Sequence, residues 1–109
     1  MADLSYKVIE VFTSEQARWK GAPLYDAVVG LVARERSAAR CLVTRAVAGC
    51  YESGEIVSHR VLDVSHNMPL KIAIVLPAPE LDRLLPKVQE MVSDGIVLVQ
   101  DRELCVRRT

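Results

Sequence analysis

Arg45 is the residue whose type and neighbours best suit it to hold a ligand. It stands near the end of an apolar run, Arg40 to Val47, and small residues follow it: Ala46, Ala48 and Gly49. A guanidinium grips a phosphate or carboxylate through two parallel hydrogen bonds. Small residues let backbone N–H groups come close to the same ligand. The competing reading of Arg45 is an ion pair with Glu10 or Glu52 on a solvated rim. Arg18, Lys20 and Gly21 precede the start of a helical pattern, where orphan N–H groups favour an anion. They equally suit a charged surface loop, and Gly21 with Pro23 sets the entry to the helix. Trp19, the single tryptophan, either stacks on a base or packs between subunits. The expected anion site is therefore Arg45, Lys20, Gly49, Gly21 and Arg18. Tyr51, Glu52, Glu55 and His59 lie in a segment with two glycines and no helical period, and read as contacts for a partner protein.

Other chemistries lack their residues. There is no Ser-His-Asp logic, no carboxylate pair at a defined spacing and no activated-cysteine motif, so no catalytic residue is assigned and no enzyme is expected. Cys41, Cys50 and Cys105 are odd in number and form no CxxC, which fits reduced thiols inside a cell. Cys50, His59 and His66 match no zinc spacing, and no metal site is assigned. Arg34, Arg36, Arg40 and Arg45 form a local basic cluster without interleaved aromatics. Fourteen basic residues balance fourteen acidic ones, so no nucleic-acid partner is expected. No run approaches the roughly 18 apolar residues of a membrane span, and the N-terminus has no signal-peptide pattern. A cytoplasmic protein with no membrane insertion is expected.

These residues need elements to position them. The 109 residues suit one domain, residues 1–109. Half the chain is hydrophobic but only 5 % is aromatic, so the core must be aliphatic. Residues 5–12, 40–47, 69–76 and 96–100 are rich in β-branched side chains and read as strands; residues 103–108 are a short terminal extension. Leu24, Ala27, Val28, Leu31 and Val32 trace one stripe of a helix, closed by the charged turn Arg34–Arg36. Leu81, Leu84, Leu85, Val88, Met91 and Val92 trace a second, with Pro86 inside it and Gly95 as its expected left-handed cap. Residues 48–59 read as a loop or flexible ribbon.

The order is βαββαβ, the ferredoxin-like split arrangement with an antiparallel sheet and two helices on one face. The other face should then alternate cleanly with polar residues, and it does not. Ala73 and Val75 share it with Lys71, and Ile96 to Val99 are apolar on both sides. A second copy of the chain is the expected cover. Of Val43 and Ile72, one is expected under the helices and the other on the self-association face.

Residues 21–49 resemble the bacterial family called domain of unknown function 190, a relative of the PII-like signalling proteins. Gly21, Pro23, Leu24 and Tyr25 match its Gly-x-Pro-Leu-Tyr, and Arg45 and Gly49 match its Arg-Gly-x-x-Gly-x-Gly. Ala46 and Tyr51 stand where that pattern has glycine. Residues 62–77 and 84–104 resemble its later segments. The resemblance implies a homotrimer that binds an adenine nucleotide as effector, with no other cofactor, in clefts between protomers. It also implies a flexible T-loop-like segment, here 49–59, that contacts a protein partner such as a membrane transporter or channel. The alternative of the same architecture is a trimeric scaffold or divalent-metal-related protein with no nucleotide, using Cys50, His59 and His66.

Overall fold

The computed structural model describes residues 4–58 and 67–106. Its elements are β1 (Leu4–Ser14), β2 (Arg18–Trp19), β3 (Ala22–Pro23), α1 (Leu24–Glu35), β4 (Arg40–Arg45), β5 (Ala48–Cys50), β6 (Ile56–Ser58), β7 (Pro69–Pro77), α2 (Leu81–Met91) and β8 (Ile96–Val106), with a 3₁₀ turn at Ala78–Glu80. The four longest strands form one antiparallel sheet in the order β4-β7-β1-β8. Two helices and an antiparallel sheet are compatible with the ferredoxin-like expectation.

Strand register sorts the side chains into two faces, because neighbours along a strand point opposite ways. One set of cross-strand rows is Cys41–Ile74–Ile9–Val99 and Val43–Ile72–Val11–Val97. Ile9, Val11, Ile72 and Ile74 are fully buried there, packed with Leu24, Val28, Leu31 and Val32 of α1 and Leu84, Val88 and Met91 of α2. These are the helical stripes read from the sequence. Val43 and Ile72 are cross-strand partners on this same face, so the expectation that they lie on opposite faces is corrected. The phase of β4 relative to β7 is set by pairing, which neither segment encodes alone.

The opposite face carries the rows Leu42–Ala73–Glu10–Leu98 and Thr44–Lys71–Phe12–Ile96. Leu42 is 56 % exposed and Leu98 47 %, so this face has no cover within the described residues. Glu10 sits among these apolar groups. Its Oε1 accepts from Gln100 Nε2 at 2.8 Å, and its Oε2 lies 3.6 Å from Lys71 Nζ.

Three local expectations change. Gly95 does not cap α2; Val92 does, in an extended conformation. Gly95 has φ +153°, and a Cβ there would stand 2.6 Å from the carbonyl oxygen of Phe12. Close approach of two backbones, and not helix termination, calls for glycine here. The segment 48–58 is a hairpin, β5 pairing β6 through Ala48–Ser58, Gly49–Val57 and Cys50–Ile56. Residues 103–106 of the terminal extension belong to β8, which stays paired with β1 past an irregularity between Tyr6 and Val8; residues 107–108 lie outside the described residues.

Where the helices meet, Glu35 at the end of α1 accepts from Arg83 Nη1 at 2.6 Å and Lys87 Nζ at 2.9 Å. Arg83 also donates to the Glu35 carbonyl oxygen and to Glu80. The chain leaves α1 through Arg36 and Ala38, both at positive φ (50° and 60°). Between them Ser37 is buried.

Candidate functional site

The site lies at the end of the sheet where β1 and β4 finish and β7 begins. β4 delivers Arg45 opposite Leu70, and the chain turns there, with Ala46 N–H donating to the Pro69 carbonyl at 2.9 Å. Arg45 Nε sits 2.9 Å from Glu15 Oε2, in a half-exposed ion pair. The competing sequence reading, a carboxylate partner, thus describes the protomer, but the partner is Glu15 and not Glu10 or Glu52. Glu15 follows directly on β1, so its place beside Arg45 comes from the β1–β7–β4 pairing.

Glu15 does more than pair with Arg45. Its Oε1 accepts from the Met68 N–H at 3.2 Å, and its own N–H donates to the Met68 carbonyl at 3.0 Å. Next to it, Gln16 N–H donates to Asn67 Oδ1 at 2.9 Å. The Tyr51 hydroxyl donates to the Asn67 carbonyl. The strap Asn67–Met68 is therefore held from one side by the end of β1 and from the other by the hairpin.

The hairpin has its own local logic. Tyr51 N–H donates to the Glu55 carbonyl at 3.0 Å, and Gly54 N–H to the Tyr51 carbonyl at 2.8 Å. Gly54 has φ +89°. A turn followed by a left-handed glycine is the common three-residue hairpin closure. The Gly49–Val57 pair faces inward: Val57 is buried, and a Cβ on Gly49 would meet Pro69 Cγ at 3.2 Å. Ile56, on the other side, is 79 % exposed.

Under the hairpin lies a cleft of about 340 Å³, with Phe12, Pro69 and Leu70 among its apolar walls and Glu52, Glu55 and Asp94 among its polar ones. Tyr51, Cys50, Ser14 and Asn67 also face it. The Tyr51 hydroxyl has its pKa raised, first by burial and then by the nearby charges of Glu55 and Glu15, against a lowering hydrogen bond with Ser14. A phenol so placed stays a hydrogen-bond donor throughout the neutral range.

The other expected site residues are divided by the structure. Arg18 lies in β2 opposite Pro23, and Lys20 and Gly21 form the turn into β3, both at positive φ (48° and 83°). Such a pair of φ values marks the mirror-image tight turn of two-residue hairpins. Gly21 is thus a turn residue, one step earlier than the helix entry. Lys20 Nζ stands 5.1 Å from the centre of the Trp19 ring, within cation–π range. Within the protomer the side chains of Arg18 and Lys20 make no bond to Arg45. Tyr51, Glu52 and Glu55 come together in the cleft; His59 and His66 lie outside the described residues. Among the described residues no three metal-binding side chains group together, and no helix is long and apolar enough to cross a membrane. Glu15, Asn67 and Met68 were not among the expected site residues. The one local signal for them is the Asn-Met-Pro that leads into β7.

Comparison with known proteins finds similar sequences over nearly the whole length of the chain. The chain is 26 % identical over 98 residues to a UPF0166 protein of Aquifex aeolicus (strain VF5), covering 90 % of this chain and 91 % of that one. The family model described as "Uncharacterized ACR, COG1993", domain of unknown function 190, matches residues 6–104, and the chain belongs to that family.

Proposed function

We propose that the protein is a PII-like regulator, a ferredoxin-like homotrimer that binds a small anionic ligand, an adenine nucleotide, in clefts between protomers. It signals to a partner protein through the segment 49–59 and catalyses no reaction. The reading rests on one observation above others. Arg45, a guanidinium at this end of the sheet, shares Glu15 with the strap that holds the hairpin. A ligand that engages Arg45 acts on the anchor of the partner-contact segment, which is the coupling a regulator needs. The uncovered apolar sheet face supplies a surface on which copies assemble. Arg18 and Lys20, at the same end of the sheet, would add charge from a neighbouring protomer.

A second reading is the same assembly acting as a scaffold without nucleotide. It is favoured by the charge of the cleft, where Glu52, Glu55 and Asp94 supply three carboxylates, while Arg45 is already paired. The two readings part in a calorimetric titration of the full chain with ADP and ATP. Binding that falls roughly tenfold or more in Arg45→Ala supports the regulator, since a charge-assisted contact is worth about 1.5–3 kcal/mol. No binding at millimolar nucleotide leaves the scaffold.

A further inference from the structure

We propose that Glu15 is a built-in competitor for the anion site, and that its displacement from Arg45 releases the strap carrying the hairpin. The inference rests on the reading of Arg45 as an anion-binding residue and adds the residue that regulates it.

A carboxylate against a guanidinium makes the contact that a phosphate oxygen would make. Glu15 Oε2 already occupies Arg45 Nε at 2.9 Å. An incoming anion must either displace this carboxylate or tolerate its charge at close range. In both cases Glu15 opposes binding, and the protomer with an empty site holds Arg45 neutralised.

The other oxygen of Glu15 gives the displacement a consequence. Oε1 accepts the Met68 N–H at 3.2 Å. Met68 is itself fully buried, so a departing carboxylate leaves a donor short of its partner, which is costly away from water. The neighbouring Asn67 carries both the Gln16 bond and the Tyr51 bond. Loss of the Glu15–Met68 contact therefore loosens the residue on which the hairpin hydroxyl is anchored. One side chain reads the charge state of Arg45 on one oxygen and holds the strap with the other.

The pair is half-exposed, and exposed ion pairs are weak. The gate should therefore be shallow, a tuning of affinity and not a block. Glu15→Gln removes the charge and keeps an amide oxygen able to accept from Met68 N–H.

Calorimetric titration of the full chain with ATP, ADP and inorganic pyrophosphate tests the gate. Wild type is compared with Glu15→Gln, with Arg45→Gln, with the double variant, and with Glu90→Gln, which removes one negative charge from an exposed position on α2. Glu15→Gln is expected to bind the polyphosphates about two- to fivefold tighter than wild type. The gain should vanish on the Arg45→Gln background and be missing in Glu90→Gln. Hydrogen exchange at the Met68 amide should speed up when wild type is saturated with the same probe. Equal affinity of wild type and Glu15→Gln, with binding present, overturns the gate and leaves the proposed function standing. A matching gain in Glu90→Gln overturns it too, because the effect is then one of bulk charge. A gain with no change in Met68 exchange overturns the link to the strap. Absence of binding to all three probes in both proteins overturns the proposed function and the gate together.

Discussion

The two faces of the sheet are made by the same four strands and solve different problems. The covered face is apolar throughout its central rows, Cys41–Ile74–Ile9–Val99 and Val43–Ile72–Val11–Val97. The open face is more mixed: Leu42, Ala73, Leu98, Phe12 and Ile96 are apolar, and Glu10, Lys71 and Thr44 stand among them. A face closed by its own helices needs only shape and volume, because the chain connection fixes what covers it. On the proposed assembly, the open face must also specify which molecule covers it and in what register. A charged pair among apolar side chains penalises wrong partners.

The largest expected effect lies on the covered face. Ile74→Ala removes three carbons from a fully buried site and should cost about 2–5 kcal/mol. A urea midpoint that barely moves would mean that the core around Ile74 collapses freely or that the helices do not cover it.

The mirror experiment is Leu42→Asp, one residue from Cys41 on the same strand but pointing outward. The folded protomer should keep its helical and sheet signals. The proposed assembly should come apart, read as a drop in sedimentation coefficient, because an unpaired carboxylate is costly to bury between copies. Sedimentation of wild type as a monomer at micromolar concentration breaks the comparison from the other side, by removing the cover altogether.

Much of this contrast was legible in the sequence. The helix stripes, the β7 alternation and the second half-apolar face all follow from periods of 3.6 and 2. What escaped was pairing between distant segments. Val43 could not be assigned a face until β4 was docked on β7, since a one-residue slip exchanges the faces. The 48–58 hairpin escaped because it buries so little: Val57 is its one buried apolar side chain, and its sequence is otherwise that of a polar loop. Its turn chemistry, Glu52-Ser53-Gly54 between β-branched residues and a tyrosine, was the available sign. Arg45 was visible through its type and its small neighbours. Glu15 was not, because an ion pair bridging thirty positions leaves no local period.

A smaller effect is expected where the faces meet at the start of β8. Gly95→Ala forces a Cβ to within 2.6 Å of the Phe12 carbonyl oxygen, at φ +153°. The backbones must part, at a cost of about 1–3 kcal/mol. Phe12 lies on the open face and its neighbour Thr13 on the covered one, so the variant should lose both thermal stability and assembly. Loss of stability with assembly intact would show that the open face is insensitive to how β8 enters the sheet.

The smallest effect concerns how the cover of the inner face is fastened. Glu35 ties α1 to α2 through Lys87 and Arg83, and its carboxyl is held below its ordinary pKa. The Lys87 hydrogen bond is the main cause, and the charges of Lys87, Arg83 and Arg34 add to it against desolvation. The folded pKa is lower than the unfolded one, so the contribution is complete above the ordinary carboxylate range. It is lost as pH falls through the depressed folded value. Other carboxylates titrate in the same window, so the informative quantity is a difference between two proteins. Urea midpoints of wild type and Glu35→Gln should be furthest apart near neutral pH, with wild type the more stable. They should converge as pH drops from about 5 towards about 3. The amide still accepts from Arg83 and Lys87, so the gap should be modest even at pH 7. Curves that stay parallel across that window would mean that the fastening is by shape alone, as in the rest of the covered face.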